Sequence, residues 1–148
     1  MVLPILCAGT LLAADYGLRS LARRGKLERA LLGGRIRLEL LENPGMAGGV
    51  LKNHPHLARV LSGGALLMVL IMCRGELLHG RGLGCWGAAL LCAGGLGNVL
   101  ERLRRGCVTD YIRFPRLPAG RLQRLVWNLA DLMLSAGALL LAAGSISS

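Results

Sequence analysis

The chain has 148 residues, 53% of them hydrophobic, and a formal net charge of +10. In a soluble protein that charge would point to nucleic acid. Only five aromatic residues are present (two Trp, two Tyr and one Phe), too few for a base-stacking platform. Nucleic-acid binding is therefore excluded, and the basic residues are assigned to loops beside anionic lipid headgroups.

The mean hydropathy is +0.53, and the apolar residues collect in blocks near the roughly 20 residues a helix needs to cross a bilayer. In chain order the blocks are Val2–Leu21, Leu57–Cys73, Gly82–Leu100 and Leu125–Gly144. The first reads as a retained membrane helix rather than a cleaved leader. No Lys or Arg precedes it, and Asp15 lies in its last third. The second is the shortest and carries Arg59, which places its outer turn in the interface.

Between the first two blocks runs a polar connection, Ala22–His56. Its early part is basic, and Arg35–Leu41 then alternates polar with apolar residues, the period of a half-buried strand. Glu42-Asn43-Pro44-Gly45 follows with the composition of a turn. The second connection, Arg74–Arg81, is short. The third, Glu101–Arg124, is basic and contains Gly106 and two prolines. The expected architecture is an all-α membrane protein of four transmembrane helices, one domain over residues 1–148, with a small β element in the first loop.

The five cysteines form no CxxC, and His54 and His56 have no further ligands close in sequence. The expectation is no disulfide, no metal and no cofactor.

Ionisable residues in membrane spans are functional candidates by default. Asp131 lies in the last block with Asn128 three residues before it, a spacing that puts both on one helix face. A bland alternative is an interfacial Asp at the positive end of the helix dipole. The third block ends in Asn98, Glu101 and Arg102, which share a face, behind glycines that permit close helix approach. Asp110 follows in the third connection. Consecutive spans are antiparallel, so Asp110 and Asp131 can converge at one membrane face. Two like charges at close range cannot both ionise, and this is the requirement of aspartyl proteolysis.

At this point the residues resemble a family. Gly94-Gly-Leu-Gly-Asn98, Glu101-Arg102, Gly106 and Val108-Thr-Asp110-Tyr-Ile together resemble the signature of lipoprotein signal peptidase (signal peptidase II). Trp127-Asn128-Leu-Ala-Asp131 is similar to its last motif. Asn43-Pro-Gly45-Met-Ala is similar to an earlier one, and Asp15-Tyr-Gly-Leu-Arg19 to the first.

The resemblance implies that Asp110 and Asp131 are the catalytic pair. Asn43, Asn98, Arg102 and Asn128 would position pair and substrate, with Asp15, Arg19, Gly45, Glu101 and Gly106 in support. It implies cleavage before a diacylglyceryl-modified Cys of a prolipoprotein, by a monomer among phospholipids, at the outer face of the bacterial cytoplasmic membrane. The sequence departs from the pattern at Glu101 (usually Asp), Arg19 (usually Lys) and Gly48 (usually Phe), and its loop between Tyr111 and Trp127 is compact and basic.

Two other classes compete. A catalytically retired relative would bind lipidated peptides, but retention of both aspartates argues against it. A small proton- or cation-coupled membrane protein would carry polar residues along several spans, yet the second span has only Ser62 away from its ends. Orientation is contested within the sequence itself. Lys and Arg number nine in and around the first connection, two in the second and seven in the third. The positive-inside rule would put the first and third in the cytoplasm, where the resemblance puts them outside.

Overall fold

The computed structural model describes residues 2–46, 48, 50–116 and 125–146. Among these residues four helices are long and apolar enough to cross a membrane: α1 (Val2–Arg23), α2 (Pro55–His79), α3 (Gly82–Arg105) and α4 (Leu129–Ile146). Large apolar side chains such as Leu3, Leu67, Ile71, Met72 and Leu139 point outward, while Asp15, Arg19, Asn98, Arg102, Asp110 and Asn128 are buried. A lipid solvent favours this arrangement, because acyl chains accept leucine and polar groups must find partners inside. The chain is a multi-pass membrane protein.

The hydropathy blocks place all four helices but misplace several ends. α2 runs on through Arg74–His79, which was expected to be loop, and only Gly80–Arg81 turns the chain into α3. Its end is closed by the Gly80 N–H, which donates to the Glu76 carbonyl at 3.0 Å. α3 continues past Leu100, so Glu101 and Arg102 are helical rather than part of the third connection. It stops at Gly106, whose φ of 78° is left-handed and whose N–H donates to the Arg102 carbonyl. α4 starts at Leu129, four residues later than the apolar block, because Val126 and Trp127 are drawn into a strand.

The β element is larger than the expected segment in the first connection. β1 (Arg29–Leu31), β2 (Ile36–Asn43), β3 (Val108–Arg113) and β4 (Val126–Trp127) form one antiparallel sheet in chain order. The first and third connections are thus joined into a single lid over one end of the bundle. The β-branched and aromatic run from Val108 to Ile112 suits β3. In the β2–β3 ladder Leu41 faces Asp110 and Asn43 faces Val108. Residues 117–124, most of the compact basic loop, lie outside the described residues.

α3 and α4 pack backbone to backbone. A methyl group on Gly87 would stand 2.8 Å from the Gly137 carbonyl oxygen. One on Gly137 would stand 2.7 Å from the Leu91 nitrogen, and one on Gly94 would stand 2.6 Å from the Ala130 carbonyl oxygen. Such contact is how small residues bring membrane helices together. Here it carries Asn98 on α3 to Asp131 on α4.

Candidate active site

Asp110 arrives on β3, beneath the sheet. Asp131 sits in the first turn of α4. Asn128 does not share a helix face with Asp131, as the spacing suggested, but caps the helix. Its Oδ1 accepts from the Asp131 N–H at 2.8 Å, and Asp131 Oδ2 accepts in return from the Asn128 N–H at 3.3 Å. This reciprocal pair satisfies backbone donors at the helix start. The cap leaves the Asn128 amide group free to donate to Asp110 Oδ1 at 2.7 Å. One residue therefore holds both carboxylates, Asp110 through its side chain and Asp131 through its backbone N–H.

Each carboxylate has a second amide on it. Asn98 Nδ2 donates to Asp131 Oδ1 at 2.8 Å, and Asn43 Nδ2 donates to Asp110 Oδ2 at 3.2 Å. Asn43 reaches there from the end of β2, and its Oδ1 accepts from the Gly45 N–H at 3.1 Å. Arg102 donates from NH2 to the Gly45 carbonyl at 2.7 Å and from NH1 to the Asn98 carbonyl at 3.4 Å. A side chain on Gly45 would collide with the backbone of Val50 and Lys52, so glycine is required where the loop doubles back.

Glu101 was expected on the same face as Asn98 and Arg102, but it turns toward α1. It accepts from Thr109 Oγ1 at 2.8 Å and pairs with Arg23 at 3.3 Å.

Arg19 and Asp15 form the outer support. Arg19 Nε meets Asp15 Oδ2 at 2.6 Å, and its NH2 donates to Asn98 Oδ1 at 2.8 Å. That bond fixes which way the Asn98 amide faces: its oxygen is toward arginine, so its nitrogen is toward Asp131. Asp15 Oδ1 accepts from the Tyr111 hydroxyl at 2.9 Å and from the Leu129 N–H at 3.1 Å, which pins the start of α4 to α1. Tyr111 and Arg23 were not singled out in the sequence. Tyr111 follows Asp110 directly, and an aromatic hydroxyl beside a candidate carboxylate was the available signal.

Burial, and then the nearby Asp131 carboxylate, push the Asp110 carboxyl up to about 6, against the opposing pull of the Asn128 and Asn43 amides. Burial likewise raises the Tyr111 hydroxyl. The two aspartates, Asn43, Asn98, Arg102 and Trp127 line a cavity of about 230 Å³, whose other wall includes Leu125, Val126 and Leu134. Gly48 also lines it, with its φ at 71°. A phenylalanine there would be strained as well as larger, which accounts physically for this departure.

Four membrane-length helices and a joined sheet bring buried Asp110 and half-buried Asp131 to one cavity, which defines a multi-pass membrane protein with a carboxylate-lined site. The family model described as signal peptidase (SPase) II matches residues 7–147, and the chain belongs to that family. A lipoprotein signal peptidase of Caldicellulosiruptor bescii is 29% identical over 111 residues, 75% of this chain and 67% of that protein. One of Halothermothrix orenii is 33% identical over 104 residues, 70% of this chain and 66% of that protein. One of Anaeromyxobacter is 32% identical over 110 residues, with 71% and 52% covered. The matched stretches thus span between about half and two thirds of these relatives' lengths. A solved bacterial membrane enzyme superposes with a TM-score of 0.80 at 19% identity, covering 99% of this chain and 89% of that one, a likeness of fold.

Proposed function

We propose that this chain is a membrane aspartyl endopeptidase that removes the signal peptide of diacylglyceryl-modified prolipoproteins, with Asp110 and Asp131 as the catalytic pair. The observation that carries this reading is Asn128, which caps α4 through its oxygen and holds Asp110 through its nitrogen. The pair titrates as a unit with one shared proton. The ionised carboxylate takes a proton from water as the water oxygen bonds to the scissile carbonyl carbon. The protonated one gives its proton to the carbonyl oxygen, and a gem-diol results. On collapse the C–N bond breaks, a proton passes to the departing amine, and the pair returns to its starting state. Arg102 and Asn43 border the peptide path, and the apolar wall at Leu134 suits the lipidated residue.

The decisive experiment is cleavage of a diacylglyceryl-modified prolipoprotein by purified protein, followed by gel shift. Asp110→Asn and Asp131→Asn are each expected to slow cleavage on the order of 10⁴-fold, with unchanged size-exclusion profiles. Cleavage at the normal rate by either variant would end the dyad assignment. Cleavage absent from the wild type, with binding retained, would favour the retired relative.

The reading extends to a single peptidase domain acting as a monomer in the bacterial cytoplasmic membrane, with the sheet end outside. The arginines at that end are then the expected exception to the positive-inside rule, several of them engaged in internal pairs such as Arg19–Asp15 and Arg23–Glu101. A reporter fused after Ser148 should be cytoplasmic, and an extracytoplasmic one would overturn the orientation.

A further inference from the structure

Behind the polar network, on the side of α3 away from the dyad, lies a second cavity of about 320 Å³ between α1 and α3. It shares no lining residue with the dyad cavity. Its volume falls at the lower end of the range for ligand sites. Its character changes along its length. Gly9, Leu12, Ala13 and Leu100 make the deep part apolar, whereas Arg19, Glu101 and Arg104 stand at the sheet end. At Gly9 and Leu12 it continues into an apolar groove of about 470 Å³ that includes Leu66, Leu70 and Leu96. The two form one trench, polar at the end of the span and wholly apolar within it.

The charges at the polar end do not balance. Asp15 and Glu101 are matched by Arg19 and Arg23. Arg104 is left over: it is exposed, has no carboxylate partner among the described residues, and lies over the Tyr16 ring at 6.0 Å. An arginine on a tyrosine at a helix end marks the headgroup level of a bilayer. Arg19, itself 1% exposed, has an NH1 group without a hydrogen-bond acceptor among the described residues, the Glu101 carboxylate standing 3.8 Å away.

We propose that this trench is a binding site for one anionic phospholipid, its phosphate on Arg104 and an acyl chain along the groove past Leu12 and Gly9. A cation at the mouth and a hydrocarbon-lined floor match the two halves of such a lipid, and the surplus positive charge selects for an anionic headgroup. Gly9 keeps the floor open, since a methyl group there would meet no heavy atom within 4 Å. The site stands apart from the peptidase reading, because binding is measured without a substrate.

The test is native mass spectrometry of the detergent-purified chain titrated with phosphatidylglycerol or phosphatidylcholine of identical acyl chains. The wild type should retain one phosphatidylglycerol per chain in preference to phosphatidylcholine. Arg104→Gln should weaken that retention about fivefold and erase the headgroup preference. Gly9→Leu, whose Cβ would meet no heavy atom within 4 Å and whose branch extends into the groove, should abolish retention of either lipid while the melting temperature holds. Equal retention of both lipids by the wild type, or wild-type retention in both variants, would overturn the site. So would a stoichiometric co-purifying polypeptide displaced by Gly9→Leu, since the trench would then receive a helix.

Discussion

The two flanks of α3 are held by opposite means. Toward α4 the contact is backbone on backbone, with Gly87, Gly94 and Gly137 admitting no side chain between the helices. Toward α1 the contact is made by long charged side chains, Arg19 to Asn98 and Arg23 to Glu101, with a cavity left beside them. The glycine flank fixes a distance. The charged flank fixes an orientation, because arginine donors decide how the Asn98 amide faces Asp131. A site built from both needs each for a different reason.

The comparison breaks most severely at Arg19. Arg19→Ala leaves the Asp15 carboxylate buried without its cation, an expected loss of about 3–5 kcal/mol, read by thermal unfolding in detergent, with cleavage falling alongside. Arg19→Lys keeps the charge but reaches only one of the two acceptors, so it should cost about 1.5–3 kcal/mol and reduce cleavage less. A Lys variant as stable and as active as the wild type would mean that the forked geometry is unimportant.

Gly137→Ala tests the other flank. Its methyl group meets the Leu91 nitrogen and the Gly87 carbonyl at 2.7 and 2.8 Å, so the helices must part at an expected cost of about 1–3 kcal/mol. Distance being what this flank sets, cleavage should fall with no change in pH profile. An unchanged melting temperature and rate would show the seam to be slack.

The smallest effect is a slope. Asp110 is raised toward about 6 in the fold, so between pH 4 and 6 the folded state binds more protons than the unfolded one. This group's contribution to stability therefore declines as pH rises through that window, by on the order of 1 kcal/mol per pH unit, and is level above it. Asp110→Asn should flatten that part of the stability–pH curve. A parallel slope in the variant would assign the titration elsewhere.

Much of this was legible in the sequence for definite physical reasons. Hydropathy found the four spans, since a bilayer demands apolar surface along the whole crossing. It misjudged their ends because hydropathy stops at charge while helical hydrogen bonding does not, as Arg74, Glu76, Glu101 and Arg102 demonstrate. The carboxylate in the last apolar block and the motif around Asn98 pointed to the polar cavity where Asp110 and Asp131 lie. Tyr111 and Arg23 were hidden because their partners are 96 and 78 residues away. The Asn128 cap was hidden by the misplaced start of α4, which made two capping partners look like neighbours on a helix.

The capping bond at Asn128 also bears on how the molecule is made. α4 leaves the ribosome after α1, α2 and α3, and its first turn is tied to α1 through Asp15, to α3 through Asn98 and to β3 through Asp110. Until that turn closes, Asp131 has no partner and the two carboxylates belong to separate segments. A nascent or half-inserted chain therefore does not yet bring Asp110 and Asp131 together, and the proposed cutting activity would mature only with the finished bundle.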